Sequence, residues 1–287
     1  MARQQAITIG RIDYANAWPI FHYAEERLPA ERYTIIQRVP SALNEAFHRG
    51  EIDITSMSSF AYAQYSDDYL LLPDLSVSAR ARVNSILLIT NRPMDQVLNG
   101  TIALTATSAT SVNLLKIIMS LYFKGNPDYI TMEPALDLML EQADAALLIG
   151  DSAIKASWES AGMTVIDLGQ LWREWTGHGM TFAVVAVRRS AAAKRPLEVA
   201  EVWRALVASK RKSLSNLNPL IEKGCKLIGG DESYWRRYFQ ELHYDFGPEE
   251  QEGLSLYFKY ANQLGLLKHS VNMHFFEDQM TALQVNE

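Results

Sequence analysis

Four hydroxyl side chains crowd the start of a predicted helix in the middle of the chain: Thr107, Ser108, Thr110 and Ser111. They follow a short apolar run at residues 101–105 that predicts a strand. A helix start presents unpaired backbone N–H groups and the positive end of the helix dipole, so it attracts anions. One hydroxyl would be enough for an N-cap. The additional hydroxyls, in a turn without a glycine loop, predict a site for a small carboxylate. The alternative is a helix cap that has more hydroxyls than it needs.

Polar side chains also follow other predicted strands at their carboxyl ends, where open α/β sheets bind ligands. Together, these candidate side chains are rich in neutral hydrogen-bond donors and poor in strong bases. It suits binding of a polyanionic small molecule, or stabilisation of an oxyanion that develops during a reaction. For Asn16 the alternative is a turn-forming residue. For Ser85 the alternative is a half-buried serine within a strand. The candidates outside the helix start are Tyr14, Ser58, Ser59, Thr105, Gly150, Asp151, His178, Asn16 and Ser85.

Several kinds of chemistry lack their motifs. There is no G-x-G-x-x-G, no Walker loop and no H-E-x-x-H, and no serine stands in a G-x-S-x-G elbow. The six histidines are scattered, without metal-ligand spacing, and the single cysteine excludes an intrachain disulfide. We therefore expect no nucleotide, no metal and no cofactor.

Composition limits the partners. The hydrophobic share of 48% and the charged share of 21% are those of an ordinary globular protein. The formal net charge of -6 and the lack of a basic run argue against nucleic acid. The first ten residues contain no apolar stretch typical of a secretion signal, and no run of 18 apolar residues occurs. We expect a cytoplasmic protein that does not bind membranes.

The order of predicted elements indicates how these side chains are positioned. Strands and helices alternate up to about residue 187, and the pattern from residue 196 onward is helical. This arrangement predicts an α/β protein of two lobes with a ligand cleft between them. The predicted first lobe comprises residues 1–90 and 188–287, and the second comprises residues 91–187. We expect the helical part to pack on the first lobe.

Motifs in this order resemble the chorismate dehydratase family of the futalosine route to menaquinone. They include Ile-Gly-Arg-Ile-Asp-Tyr-Ala-Asn-Ala-Trp-Pro-Ile from residue 9, Val-Asn-Ser-Ile-Leu-Leu from residue 83 and Ala-Ala-Leu-Leu-Ile-Gly-Asp from residue 145. The resemblance covers about residues 7–187. One departure is His178-Gly-Met-Thr-Phe, where family members usually carry a Leu-Pro-Phe-like run.

The resemblance implies a periplasmic-binding-protein-like fold of the second type in a cytoplasmic lyase without a cofactor. The implied reaction converts chorismate into 3-[(1-carboxyvinyl)oxy]benzoate and water. Asn16 and Ser85, as catalytic residues, would orient the substrate's side-chain carboxylate, which itself takes the proton. The related 1,4-dihydroxy-6-naphthoate synthase and a non-catalytic small-anion-binding protein are the alternatives. A monomer or a homodimer is expected.

Overall fold

The computed structural model describes residues 6–12 and 14–278. Part of the segment inspected for a secretion signal, and Asp13 of the first family motif, lie outside the described residues. The strands, in chain order, are β1 (Ile7–Ile12), β2 (Tyr33–Arg38), β3 (Ile54–Ser58), β4 (Tyr69–Ala79), β5 (Ile86–Thr90), β6 (Thr101–Thr105), β7 (Asp128–Met132), β8 (Ala145–Ile149), β9 (Thr164–Asp167), β10 (Met180–Arg188) and β11 (Leu242–His243).

Helices cover the sheets and form most of the last quarter of the described chain. A π-helical turn over Ile118–Tyr122 continues the fifth helix. The helices are α1 (Trp18–Phe21), α2 (Pro40–His48), α3 (Ser59–Gln64), α4 (Met94–Val97), α5 (Ala109–Ile117), α6 (Leu136–Gln142), α7 (Gly150–Glu159), α8 (Leu168–Thr176), α9 (Arg189–Lys194), α10 (Pro196–Ser215), α11 (Asn218–Leu227), α12 (Glu232–Glu241) and α13 (Pro248–Gln263).

The strands form two mixed sheets. The first has the spatial order β11-β4-β10-β3-β1-β2, and the second has the order β7-β6-β8-β5-β9. Strands β3, β5 and β8 are buried along their whole length, as expected for strands covered by helices on both faces. We call the part built on the first sheet the first lobe and the part built on the second sheet the second lobe.

Two strands pair on the other side of the predicted lobe boundaries. β5 was assigned to the first lobe, but it pairs with β8 and β9 of the second sheet. β10 was assigned to the second lobe, but it pairs with β3 and β4 of the first sheet. An apolar run predicts a buried strand without indicating its neighbours. From sheet membership, we propose that the chain crosses between the lobes at residues 80–85 and 177–179.

Helix α13 packs on both lobes, whereas the sequence predicted that the helical part packs on the first lobe. The Tyr257 hydroxyl of α13 donates to the backbone oxygen of Thr110 at 3.1 Å. The rings of Trp175 and Tyr260 stack with centroids 5.1 Å apart, which joins α8 to α13. Aromatic side chains at helical spacing indicated a buried face, but not which surface covers it. Within the described residues, no helix has both the length and the apolar character needed to span a bilayer.

A buried ammonium group ties α10 to strand β4 and to the loop after β11. The Lys210 side chain is 2% exposed, and its Nζ lies 2.5 Å from Asp245 Oδ1 and 2.9 Å from Asp74 Oδ2. Burial acts to raise the pKa of Asp245, but the hydrogen bond and charge of Lys210 outweigh it and hold that pKa below its usual value. The ionised carboxylate is therefore the form that the folded state stabilises.

Lys210→Met is expected to lower the free energy of unfolding at pH 7 by about 1–3 kcal/mol, measured by urea denaturation. A carboxyl group with a lowered folded-state pKa adds stability above its unfolded pKa, and this stability is lost as the pH falls through the folded value. The variant should therefore lose less stability on acidification than the wild type. Lys226→Met, at an exposed position of α11, is the control. Equal acid sensitivity in wild type and Lys210→Met would contradict the pairing.

Candidate functional site

A small cavity lies between the two sheets, where the carboxyl ends of strands from both lobes meet. Its volume is about 30 Å³, close to the share of one water molecule in the liquid. Binding of a larger ligand therefore requires the lobes to move apart. The cavity brings together six predicted site residues: Tyr14, Asn16, Ser58, Ser108, Ser111 and Gly150.

The start of α5 has the predicted N-cap. Ser108 Oγ accepts a hydrogen bond from the Ser111 backbone N–H at 3.3 Å and lies 3.1 Å from Ser111 Oγ. The neighbouring hydroxyls of Thr105 and Thr107 are 2.9 Å apart and bond to each other. Ser108 and Ser111 line the cavity, while the threonine pair supports the turn before the helix.

Thr110 and Asp151 join the two lobes. Thr110 Oγ1 accepts a hydrogen bond from the Phe60 backbone N–H of α3 at 3.0 Å. Asp151 Oδ1 accepts one from the Ala15 backbone N–H, in the loop after β1, at 3.1 Å. We call these two contacts the interlobe hydrogen bonds. Neither residue is in the cavity lining. Gly150 and Asp151 are the first two residues of α7.

Asn16 and Ser58 present their polar groups to the cavity in complementary ways. Asn16 Oδ1 is buried and has no hydrogen-bond partner among the described atoms. Ser58 Oγ accepts from the Ala61 backbone N–H at 3.3 Å and lies 3.5 Å from Asn44 Nδ2. A hydroxyl with two donors directed at its oxygen has its own hydrogen left to donate. The site therefore offers an amide oxygen and a hydroxyl donor from the first lobe.

Ser59, Ser85 and His178 are predicted site residues that do not line the cavity. Ser59 Oγ donates to the Thr181 backbone oxygen at 2.8 Å. His178 lies in the turn after α8, where its backbone N–H donates to Thr176 Oγ1 at 3.2 Å. Adjacent hydroxyls at a strand-to-helix junction point in different directions, so Ser58 and Ser59 have different surroundings.

Ser85 is buried one residue away from the cavity. Its backbone oxygen accepts from the Gly150 N–H at 2.7 Å, and its hydroxyl lies 3.2 Å from the Val83 backbone oxygen. The Tyr238 hydroxyl of α12 donates to Ser85 Oγ at 3.2 Å. Burial raises the pKa of Tyr238 well above its ordinary value, so this phenol stays protonated and serves as a donor. Ile86, the residue that follows Ser85 in the chain, lines the cavity.

Two residues of this region, Asn44 and Tyr238, were not predicted from the sequence. Asn44 lies within a short helix, where asparagine has no spacing that distinguishes it from a surface residue. Tyr238 lies among the buried aromatic side chains of α12. No local sequence pattern shows which aromatic hydroxyl reaches a functional side chain.

Gly150 permits the close approach of an aromatic ring. Its φ of +61° lies in the left-handed region, which residues other than glycine rarely adopt. A Cβ atom at this position would lie 2.9–3.1 Å from the Cγ, Cδ1 and Cδ2 atoms of Tyr14. The ring therefore packs directly on the start of α7, and it closes one side of the cavity.

Ser108→Ala combined with Ser111→Ala is expected to weaken binding of a small aromatic carboxylate such as benzoate, because both residues line the cavity at the helix start. Loss of the cap should cost only about 1 kcal/mol of stability. Calorimetric titration measures the affinity, and thermal denaturation verifies the fold. Ser41→Ala, on α2, is the control. Unchanged affinity in the double variant would leave α5 with a cap and no ligand site.

A larger surface depression of about 730 Å³ lies along residues 25–35, beside the edge strand β2. Three glutamates, Glu25, Glu26 and Glu31, contribute to its lining. Their charge disfavours an anionic ligand, so the interlobe cavity remains the candidate site. No group of three or more metal-ligating side chains occurs in the part of the chain that the structure describes.

A family model described as menaquinone biosynthesis matches residues 7–263. The match ends at the last residue of α13 and includes both sheets. A chorismate dehydratase of Thermus thermophilus is 32% identical over 273 residues, which cover 90% of this chain and 95% of that relative. The chain belongs to the menaquinone biosynthesis family. The resemblance predicted from the motifs is confirmed, and the family match extends beyond residue 187 into the helical part.

Solved structures confirm the predicted fold of this menaquinone biosynthesis family member. Protein AF1704 from Archaeoglobus fulgidus superposes with a TM-score of 0.73 at 20% identity, covering 91% of this chain and 98% of that one. The periplasmic aliphatic sulphonate binding protein SsuA from Escherichia coli superposes with a TM-score of 0.68 at 16% identity, covering 96% of this chain and 93% of that one. At these identities the likeness shows the fold, which is the two-lobed fold of periplasmic binding proteins.

Proposed function

We propose that this protein is a chorismate dehydratase, which eliminates water from chorismate to give 3-[(1-carboxyvinyl)oxy]benzoate. The observation that carries the proposal is the convergence of neutral hydrogen-bond donors from both lobes on one cavity. The relative from Thermus thermophilus, named chorismate dehydratase, supports it. In reaction class the enzyme is a lyase.

The chemistry requires little from the protein beyond positioning and electrostatics. The hydrogen on the ring carbon that bears the enolpyruvyl ether is acidic, because the ring carboxylate accepts the charge through a double bond. Removing this hydrogen gives an extended enolate-like anion, and loss of the neighbouring hydroxyl as water then makes the ring aromatic. Donors placed at the ring carboxylate stabilise the anion. A fixed orientation of the reacting groups contributes the remaining acceleration.

The cavity residues divide naturally between the two carboxylates of the substrate. Ser108 and Ser111 at the start of α5 would hold the ring carboxylate, where backbone N–H groups and the helix dipole favour an anion. Asn16 would orient the side-chain carboxylate, which accepts the proton. Ser85 would act from behind the cavity wall, held by Tyr238. We further propose that the enzyme is cytoplasmic, works without a cofactor, and is a monomer or a homodimer.

Asp151 and His178 are expected not to be the general base. Asp151→Asn and His178→Ala should each reduce turnover by less than ~10²-fold, the lower bound for loss of a true general base. Asp151 Oδ1 already accepts the Ala15 N–H, and an asparagine oxygen can accept the same hydrogen bond. His178 lies outside the cavity lining. Steady-state kinetics with chorismate measures both variants.

A chorismate analogue with a neutral group in place of the side-chain carboxylate tests the same hypothesis from the substrate side. It should bind and fail to eliminate water. Dehydration of the analogue at the normal rate would show that the proton acceptor belongs to the protein, and Asp151 would be the first residue to replace.

The direct test of the function mixes purified protein with chorismate and follows the ultraviolet absorbance. We expect rapid loss of chorismate and appearance of an aromatic product, which mass spectrometry identifies as the substrate less one water. Decay no faster than in buffer would overturn the proposal. A protein that binds chorismate without converting it would then be a binding protein of the same fold.

A further inference from the structure

Helix α12 contacts both of the segments that supply the proposed catalytic residues Asn16 and Ser85. On one side of the helix, the Trp235 ring stacks on Trp18 with centroids 6.3 Å apart. Trp18 begins α1 and follows Asn16 by two positions in the chain. On the other side, the Tyr238 hydroxyl reaches Ser85. A single helix therefore connects two catalytic candidates that lie far apart in the sequence.

The Tyr238 ring is fixed by its aromatic neighbours, so its hydroxyl has a defined position. Tyr238 is 1% exposed, and its ring centroid lies 5.3 Å from those of Trp235 and Phe239, both in edge-to-face arrangements. The Tyr234 ring stacks on Tyr238 with centroids 6.2 Å apart. A phenylalanine would fill the same space with the same ring contacts. Packing alone therefore gives no reason for a hydroxyl at this position, and its hydrogen bond to Ser85 does.

The directions of the hydrogen bonds leave Ser85 able to act as a donor. Tyr238 donates to Ser85 Oγ at 3.2 Å, so one lone pair of this oxygen is occupied. The Ser85 hydroxyl in turn donates to the Val83 backbone oxygen, also at 3.2 Å. A carboxylate accepts hydrogen bonds and cannot donate them. Ser85 can therefore hold a substrate carboxylate by turning its hydrogen away from Val83, while Tyr238 keeps the oxygen in place.

The same helix also holds the residue before Ser85. The Asn84 side-chain amide donates to Glu241 Oε2, and Glu241 is the last residue of α12. Asn84 has a φ of +59°, in the left-handed region, and its backbone N–H donates to Asp167 Oδ2 at 2.7 Å. These two residues end the first proposed crossing between the lobes. Helix α12, which packs on Trp18 of the first lobe, thus contacts the chain where it enters the second lobe.

We propose that Tyr238 is a positioning residue for the dehydration: its hydroxyl fixes Ser85 Oγ, so that the Ser85 hydrogen can turn to the substrate. The inference rests on the proposed function, because it assigns Tyr238 a role in the conversion of chorismate. Through the contact of Trp235 with Trp18, α12 also keeps Ser85 in register with the loop that carries Asn16. Tyr238 itself does not line the cavity, so its effect on the reaction passes through Ser85.

Tyr238→Phe is expected to lower kcat for chorismate about five- to tenfold, the effect of losing one hydrogen bond, and to leave KM within about twofold. Ser85 loses an orientation needed in the transition state, whereas the residues that line the cavity still bind the substrate. Tyr62→Phe is the matched control. Tyr62 is also fully buried, and its hydroxyl accepts the His274 backbone N–H at 3.2 Å, outside the cavity lining. This control should retain wild-type kinetics.

A double-mutant cycle separates positioning from packing. Ser85→Ala leaves the Tyr238 hydroxyl buried without its acceptor, so adding Tyr238→Phe should raise the Tm. It should also cause no further loss of kcat, because Tyr238 acts through Ser85. Losses of kcat that multiply, or a Tyr238→Phe variant with the kinetics of Tyr62→Phe, would overturn the positioning role. If Ser85→Ala does not fold, the comparison of the two phenylalanine variants decides. A wild type that leaves chorismate unconverted would instead overturn the proposed function, and this role of Tyr238 with it.

Discussion

Asn16→Ala is expected to lower the turnover of chorismate by on the order of 10²-fold or more, while affinity for the aromatic product falls much less. Asn16 lines the cavity, where its amide N–H groups can donate to a carboxylate and its unpaired oxygen can accept from a substrate hydroxyl. Without the amide, the side-chain carboxylate of the substrate still binds but no longer points at the hydrogen it must remove. Turnover and product affinity are measured separately, by steady-state kinetics and by calorimetric titration.

Asn113→Ala provides the comparison for this variant. Asn113 lies on α5, and its Nδ2 donates to the Ala109 backbone oxygen at 2.9 Å, within the helix. Its loss should leave turnover within about twofold of the wild type, since surface changes away from a site have small effects. If Asn16→Ala reduced turnover and product affinity by the same factor, Asn16 would contribute binding alone and the orienting role would be wrong.

Gly150→Ala is expected to reduce kcat/KM for chorismate by on the order of 10²-fold, because a displacement of about 1 Å at a reacting group has an effect of that size. The new Cβ would lie 2.9–3.1 Å from Tyr14 ring atoms, so the ring must move. Tyr14 immediately precedes the helical turn that holds Asn16. Displacement of the ring should therefore shift the loop that places the amide. The φ of +61° adds a destabilisation of about 1 kcal/mol.

Gly162→Ala separates the two effects. Gly162 has a φ of +81°, and a Cβ there would meet no atom within 4 Å. The control variant should therefore show the loss of stability and retain wild-type kinetics. Thermal denaturation and steady-state kinetics of the two variants, measured side by side, decide the matter. Equal kinetics in Gly150→Ala and Gly162→Ala would mean that the Tyr14 contact has no bearing on the reaction.

The start of α5 shows what could be predicted from the sequence. An apolar run, a hydroxyl-rich turn and an amphipathic segment are local features, and they correctly predicted β6, the Ser108 cap and the helix. The chemistry of Ser59 and Ser85 could not be predicted in the same way. Ser59 bonds to Thr181, and Ser85 bonds to Tyr238. Those partners are more than 100 positions away in the chain, and no local pattern indicates them.

The division of the chain between the lobes illustrates the same limit at a larger scale. The sequence predicted two α/β lobes, but β5 and β10 pair across the boundaries expected for them. Both are apolar and almost completely buried, so their composition does not distinguish one sheet from the other. Long-range pairing decides between the sheets, and single-sequence periodicity contains no information about it.

The interlobe hydrogen bonds of Thr110 and Asp151 have a consequence for how fast a ligand enters. At a net value of about 1 kcal/mol each, the two bonds together contribute a factor of roughly 30 in favour of the closed arrangement. A ligand too large for the closed cavity enters only through the open arrangement, so its association rate falls with the open population. Thr110→Val, which removes one acceptor, should raise the open population several-fold. Thr110 and Asp151 would then influence the rate of ligand entry from positions outside the cavity lining.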